Sequence, residues 1–273
     1  QGIQMSTVKQ DTRLRDILGT SALRPDGVAK VTGSFSFSSD MWAENMLWGA
    51  TLRSPHPYAR IISIDTTAAL LISGVSAVST AQDVPGKATY GLISADQPVF
   101  ASDFVRYMGE PVAAVAADHP ETCRRALAAI IVNYEVLTPV VDPELAMLVT
   151  TEQIHPDGNL IRHQHILHGD ANITSDVTVE GHYTIGMQDQ AFLGLEAAMA
   201  FPDPGAQGVE LHIATQWLHE DRGQIAACLN LPEDNVRLVL GGVGGAFGAR
   251  EDISLQVHCC LLALRTGRPI KMQ

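Results

Sequence analysis

A chain of 273 residues has room for about two domains and for a core that needs no disulfide staples. Lys and Arg number 18 against 30 Asp and Glu, a net charge of −12, which excludes a general nucleic-acid binder because a phosphate backbone has to be neutralised by basic side chains. Hydrophobic residues make up 46% and charged residues 18%, so the chain is globular, and with aromatics at 5% the core falls to Ala, Val, Ile and Leu.

Cys123, Cys228, Cys259 and Cys260 form no C-x-x-C pair, so no zinc ribbon, thioredoxin-type site or iron–sulfur ligand set is written here. Adjacent Cys259 and Cys260 read as small buried hydrophobes. No 18-residue apolar run and no signal-peptide core occur, so the expectation is a cytoplasmic protein with neither membrane nor nucleic acid as partner.

Residues 1–20 are polar and read as a flexible arm. Short β-rich runs follow at residues 34–38, 47–52, 61–65 and 75–79, separated by turn signals such as Ser54-Pro55-His56-Pro57 and Pro85-Gly86. Residues 111–117 read as a buried strand. Asp118 is the expected cap of a helix with Pro120 and Glu121 in its first turn, and residues 132–136 return as a strand. Prolines and glycines mark a linker over residues 143–169. It holds His155, His163, His165 and His168, of which His163 and His165 would share a strand face; without a third ligand at suitable spacing they read as linker residues. A second α/β region spans residues 170–273, with strands at 177–186, 209–215 and 236–240 and helices at 219–229 and 252–265, the last stopped by Gly267 and Pro269. Residues 268–273 begin a new extended segment, read as a sign that more structure follows.

The most informative stretch is Gly241-Gly242-Val243-Gly244-Gly245-Ala246-Phe247-Gly248-Ala249-Arg250-Glu251, between a strand and a helix. Its glycines allow close backbone approach to a ligand, and its N–H groups could face an anion or oxo group. The spacing is neither GxGxxG nor a P-loop, so dinucleotide and ATP readings lose their support. Thr215-Gln216 closes a strand just before a helix, where a Gln offers both a donor and an acceptor. Glu196 is a carboxylate in an apolar setting and needs a partner. Taken singly, each reads as well as packing or ion-pair chemistry.

Together these pieces resemble the large molybdenum subunit of the xanthine dehydrogenase/aldehyde oxidase family. The family's GGxFGxKE stands as Gly244-Gly245-Ala246-Phe247-Gly248-Ala249-Arg250-Glu251, preceded by Thr215-Gln216 and followed by Thr266-Gly267-Arg268-Pro269. Residues 21–142 resemble its α/β hammerhead domain through Ser54-Pro55-His56, Gly109-Glu110-Pro111-Val112 and Tyr134-Glu135. The expected fold is therefore α+β: a hammerhead domain, then the first part of a mixed α/β molybdopterin-binding domain.

The resemblance implies that Gln216, Gly244, Gly245, Phe247 and Gly248 bind a molybdenum–molybdopterin cofactor, of cytosine dinucleotide form. It implies that Glu251 orients a purine or related N-heterocycle, and that Glu196 lies just behind the site. Arg250 stands where Lys is frequent, Ala246 and Ala249 where glycines are, and Ala197 where a proline is. The family's general-base glutamate sits in a GxGE-type motif far downstream, and nothing resembling it occurs in this chain. The implied partners are the C-terminal part of the molybdenum subunit and iron–sulfur and flavin (FAD) subunits. The expectation is a catalytically incomplete portion of a molybdenum hydroxylase. Weighed beside it are a non-catalytic assembly module of the same fold, an aldehyde oxidoreductase of the same family, and an unrelated α/β ligand-binding protein.

Overall fold

The computed structural model describes residues 24–170, 172–205 and 207–273, with Gly19 and Ser21. The arm expected over residues 1–20 otherwise lies outside the described residues.

After a short helix α1 (Gly27–Thr32), stopped by Gly33 at φ 74°, the chain builds strands β1 (Leu47–Arg53), β2 (Ala59–Asp65), β3 (Val75–Thr80), β4 (Thr89–Tyr90), β5 (Gln97–Pro98), β6 (Phe104–Val105), β7 (Pro111–Ala117) and β8 (Ile131–Val136). Helix α2 (Thr67–Leu70) precedes β3, and α3 (Pro120–Ala129) joins β7 to β8. A one-turn helix α4 (Pro143–Ala146) is capped by the Asp142 carboxylate, which accepts from the N–H groups of Glu144 and Leu145. Then come β9 (Ala198–Asp203), β10 (Gly208–Ile213), α5 (Leu218–Leu229), β11 (Val236–Leu240), α6 (Gln256–Thr266) and β12 (Ile270–Met272).

Seven strands form one sheet in the order β11-β10-β9-β12-β1-β7-β3, and β6-β2-β8 form a smaller one. The large sheet runs through both halves of the chain. Its seam is β12, parallel to β1 on one side and antiparallel to β9 on the other. Residues 268–273 thus supply a central strand.

Composition explains the layering. β7 is Pro-Val-Ala-Ala-Val-Ala-Ala and is wholly buried. Ala113, Val115 and Ala117 face Cys123, Ala126 and Ile130, while Ala114 and Ala116 face the cluster that contains α6. Alternation along a strand sends successive side chains to opposite faces, and small residues let helices approach both. Eight of the eleven residues of α6 are buried. Within it His258 donates from Nε2 to the Val99 carbonyl at 2.6 Å and stacks on Phe100 at 4.4 Å. Burial holds its pKa down at about 4. All four cysteines are free and buried.

Several expectations need correction. Residues 34–38 form no strand; α1 ends just before them, and a 3-10 turn begins at Ser38. The cap of α3 is His119, whose Nδ1 accepts from the Glu121 N–H at 3.1 Å, because the Asp118 carboxylate lies against Gly74, one residue too early. Residues 177–186 alternate as a strand should but pair with nothing among the described residues, so no ladder forms. The last helix starts at Gln256 instead of 252. The Gln256 side chain accepts from the Ser254 and Leu255 N–H groups, while Ile253 and Leu255 turn into the core. The glycine-rich loop is therefore not at a helix N-terminus, and a helix dipole adds nothing to it.

Candidate cofactor site

Three segments converge where the large sheet ends: residues 192–196 entering β9, residues 214–217 leaving β10, and the loop of residues 241–251 after β11. The third follows from parallel pairing, since β10 and β11 run in register to Ile213 and Leu240, and the Gly241 N–H extends that ladder to the Ile213 carbonyl at 2.8 Å. Beyond Gly241 the ladder stops. Among the described residues no main-chain N–H from 242 to 248 donates to a protein acceptor. Amides left without a partner in a closed core would be costly, so these seven suit a loop that meets solvent or a ligand. Gly245, Phe247 and Gly248 have φ of 119°, 50° and 90°. For Phe247 this left-handed backbone costs about 1 kcal/mol, and its ring is 76% exposed instead of anchoring the turn. Gly194 and Gly244 lie back to back: a Cβ on Gly244 would sit 2.9 Å from the Gly194 Cα.

The side chain that joins the segments is Arg250, 2% exposed. Its guanidinium donates to the carbonyls of Gly245 at 3.1 Å, Ala214 at 3.5 Å and Leu195 at 3.2 Å, and also to the Gly194 carbonyl. It pairs with Glu196 at 3.2 Å and lies 4.6 Å from the centre of the Phe192 ring. The fixed fork of donors suits one guanidinium to several carbonyls in a way an ammonium does not match. The second oxygen of Glu196 accepts from the Ser254 hydroxyl at 3.0 Å. Glu196 is thereby the partner of a buried cation at the back of the loop. The Arg250 carbonyl in turn accepts from the Gln216 N–H at 3.3 Å.

Of the residues singled out from sequence, Gln216, Gly244, Phe247, Gly248 and Glu251 are exposed and Gly245 is half-buried; Gly244 alone of them lines the adjoining cleft. Beside the loop opens a cleft of about 430 Å³ lined by Phe37, Ser38, Asp40, Leu195, Gly242 and Arg250 among others. The buried Ser38 hydroxyl has no hydrogen-bond partner among the described residues. His163, His165 and His168 are exposed, apart from this cleft.

Sequence reasoning missed three contributions. It registered Arg250 only as a replacement for Lys. It placed Phe37 and Ser38 on a strand and not at the cleft. It passed over Asp221 in the first turn of α5, which is 1% exposed with neither carboxyl oxygen in a bond of good geometry. Burial lifts the Asp221 pKa to about 6; the neighbouring Thr215 hydroxyl works against this, and the charges of Glu196, Asp252 and Glu220 add to it. The available signal was an acid on the stripe otherwise held by buried Ile225, Cys228 and Leu229.

The residues fit an acceptor-rich group: a row of free N–H donors, glycines that let it come close, and a Gln beside them. The aldehyde oxidase and xanthine dehydrogenase a/b hammerhead domain matches residues 32–138, and the molybdopterin cofactor-binding domain matches residues 154–273. A probable xanthine dehydrogenase subunit of Bacillus subtilis (strain 168) is 37% identical over 255 residues, 92% of this chain and 34% of that protein. The nicotinate dehydrogenase large molybdopterin subunit of Eubacterium barkeri is 35% identical over 259 residues, 94% of this chain and 61% of that protein. The solved aldehyde oxidoreductase of Desulfovibrio gigas superposes with a TM-score of 0.84 at 27% identity, over 92% of this chain and 29% of that one.

The fold and the matched domains together define a chain that joins an a/b hammerhead domain to a molybdopterin cofactor-binding domain. The chain belongs to the xanthine dehydrogenase/aldehyde oxidase family, and it spans between a third and three fifths of the two curated relatives. The reading as an unrelated α/β protein with a fortuitous glycine loop is thereby set aside.

Proposed function

We propose that this chain contributes one wall of the active site of a molybdenum hydroxylase that hydroxylates a purine or related N-heterocycle, with water as the oxygen source. The observation that carries the reading is the row of unpartnered N–H groups at residues 242–248, tied by Arg250 to the segment that bears Gln216. The molybdenum–molybdopterin group, when bound, supplies the two-electron oxidation.

Everything else asked of this chain is binding and orientation. Gly244, Gly245, Phe247 and Gly248 offer main-chain donors, and the Gln216 side chain offers a donor and an acceptor. Arg250 holds the three segments in register. The exposed Glu251 carboxylate can accept from the ring N–H of a heterocycle, a bond that a simple aldehyde cannot provide. No carboxylate here is assigned as general base. That role, with most of the remaining cofactor contacts, falls to the C-terminal part of the subunit, so the chain alone does not turn over. Iron–sulfur and FAD partner subunits carry the electrons away, the pterin is of the cytosine dinucleotide form, and the assembly works in the cytoplasm. The structural likeness to an aldehyde oxidoreductase favours a second reading, with an aldehyde as substrate.

The test is molybdenum and pterin content per chain, from cells that make the cofactor, with and without the polypeptide that completes the subunit. Stoichiometric metal only with that polypeptide supports the reading; no metal in either preparation removes it in favour of an assembly module. In the loaded enzyme, Glu251→Gln should raise KM for N-heterocycles at least tenfold and leave aldehydes unaffected. An equal loss on both classes points to the aldehyde reading.

A further inference from the structure

Residues 173–187 read Ile-Thr-Ser-Asp-Val-Thr-Val-Glu-Gly-His-Tyr-Thr-Ile-Gly-Met. The odd positions carry every large apolar side chain: Ile173, Val177, Val179, Tyr183, Ile185 and Met187. The even positions hold Thr, Asp, Glu, His and Gly. This period of two is the signature of a strand with one face buried. Each of the six apolar residues is nonetheless at least 75% exposed. No main-chain hydrogen bond joins this segment to any other among the described residues. The Tyr183 ring lies over Gly181, within 2.8 Å of where a Cβ would stand there, so two odd positions do share a face.

A chain that leaves both its pairing edges and a continuous apolar face in water has left its favourable interactions unmade. The segment also runs straight on to Phe192, Gly194 and Glu196, which Arg250 fastens to the glycine loop.

We infer that residues 173–187 are a docking strand for the C-terminal part of the molybdenum subunit, which adds backbone ladder bonds along the strand and covers its odd face. The relatives leave room for this occupant: two thirds of the Bacillus subtilis protein's length and about two fifths of the Eubacterium barkeri protein's lie outside the match. β-Strand addition with alternate side chains in pockets is the matching mode of recognition. The inference rests on the proposed function in one respect, that such a part exists and completes the site.

The experiment supplies the completing polypeptide in trans and reads association by light scattering and amide hydrogen exchange by mass spectrometry. In the chain alone, residues 173–187 should exchange at unprotected rates; in the complex they should be protected at least 100-fold. Val179→Asp with Ile185→Asp should weaken association at least 100-fold, while Thr178→Asp with Thr184→Asp on the even face should change it less than threefold. Neither pair should shift the unfolding midpoint of the isolated chain, where these side chains touch solvent. A complex that carries molybdenum but leaves 173–187 unprotected overturns the docking strand and leaves the proposed function standing. No association, with no metal taken up, overturns both. Protection already present in the chain alone, with a dimeric mass, assigns the face to a second copy and overturns the inference.

Discussion

Arg250 shows how much of the site depends on one side chain that sequence reading treated as an exchange for Lys. From the motif its position before Glu251 was legible, but its direction was not, since nothing local says that it turns back under the loop to meet Gly194, Leu195 and Ala214. Arg250→Met leaves Glu196 without its cation and four carbonyls without donors, and should cost about 3–5 kcal/mol in denaturant unfolding. Arg250→Lys keeps the charge but not the fork, and should cost about 1–3 kcal/mol. Equal midpoints for Met and Lys would show that the clamp acts by packing alone. Asp221 and His258 are two buried groups that contribute to the acid behaviour with opposite signs. The folded-state pKa of Asp221, about 6, lies above the ordinary 3.8, so the native state binds the extra proton and stability falls as pH rises from about 4 to about 6. His258 is held at about 4 against 6.5, so it stays neutral when folded and stability falls as pH drops below about 6.5. The two largely offset between pH 4 and 6. Asp221→Asn should stabilise the chain by about 3 kcal/mol at pH 7, at 1.36 kcal/mol per pKa unit, and should uncover the acid decline due to His258. Unfolding curves at pH 5 and 7 read both effects; an Asn variant no more stable than the parent at pH 7 would mean that Asp221 is not held against its charge.

At the scale of elements, most strands and helices were legible because their signals are local: the apolar run of β7, the Asn230 stop of α5, the Gly267 stop of α6. The start of α6 was not, because it depends on the Gln256 side chain competing for the amides ahead of it. The strand expected over residues 177–186 has the period of two that a strand needs, but the structure forms no ladder there, because pairing depends on a neighbour that no local signal specifies. For the glycine loop, the motif indicated glycines but not which were needed for contact and which for backbone angle. Gly244 has the tight contact with Gly194 and no positive φ, whereas Gly248 has φ 90° and open space around it. Gly244→Ala should therefore force two backbones apart, cost about 1–3 kcal/mol and reduce cofactor retention in the assembled enzyme. Gly248→Ala should cost about 1 kcal/mol through its angle alone, and Gly248→Asn should recover part of that because Asn tolerates left-handed backbone. Asn at 244 should rescue nothing. Recovery at both positions, measured by thermal melting, would refute this division.

The whole molecule joins what the sequence separates. Two runs of elements flank an irregular stretch that contains the linker expected over residues 143–169 and runs on through the strand expected at 177–186 to β9. The fusion of the two runs into one sheet was not legible, since β1 and β12 lie more than 200 residues apart and the pairing is written in no local signal. The seam is close-fitted. The Leu47 N–H donates to the Pro269 carbonyl at 2.8 Å, and a Cβ on Gly49 would sit 2.5 Å from Met272 Cγ and 3.1 Å from Ile270 Cγ2. Helix α6 lies across the join and packs on β9, β10 and β12 as well as on β3 and β7. With the core shared across the seam, neither half can melt and leave the other its buried face. Calorimetry should give one transition with a calorimetric to van't Hoff enthalpy ratio near one. Gly49→Val should lower that single midpoint, at a cost of about 1–3 kcal/mol from overpacking, without splitting it. Two resolved transitions in the parent chain, with residues 47–136 and 198–272 melting apart, would show the seam to be a contact between independent domains and not part of a common core.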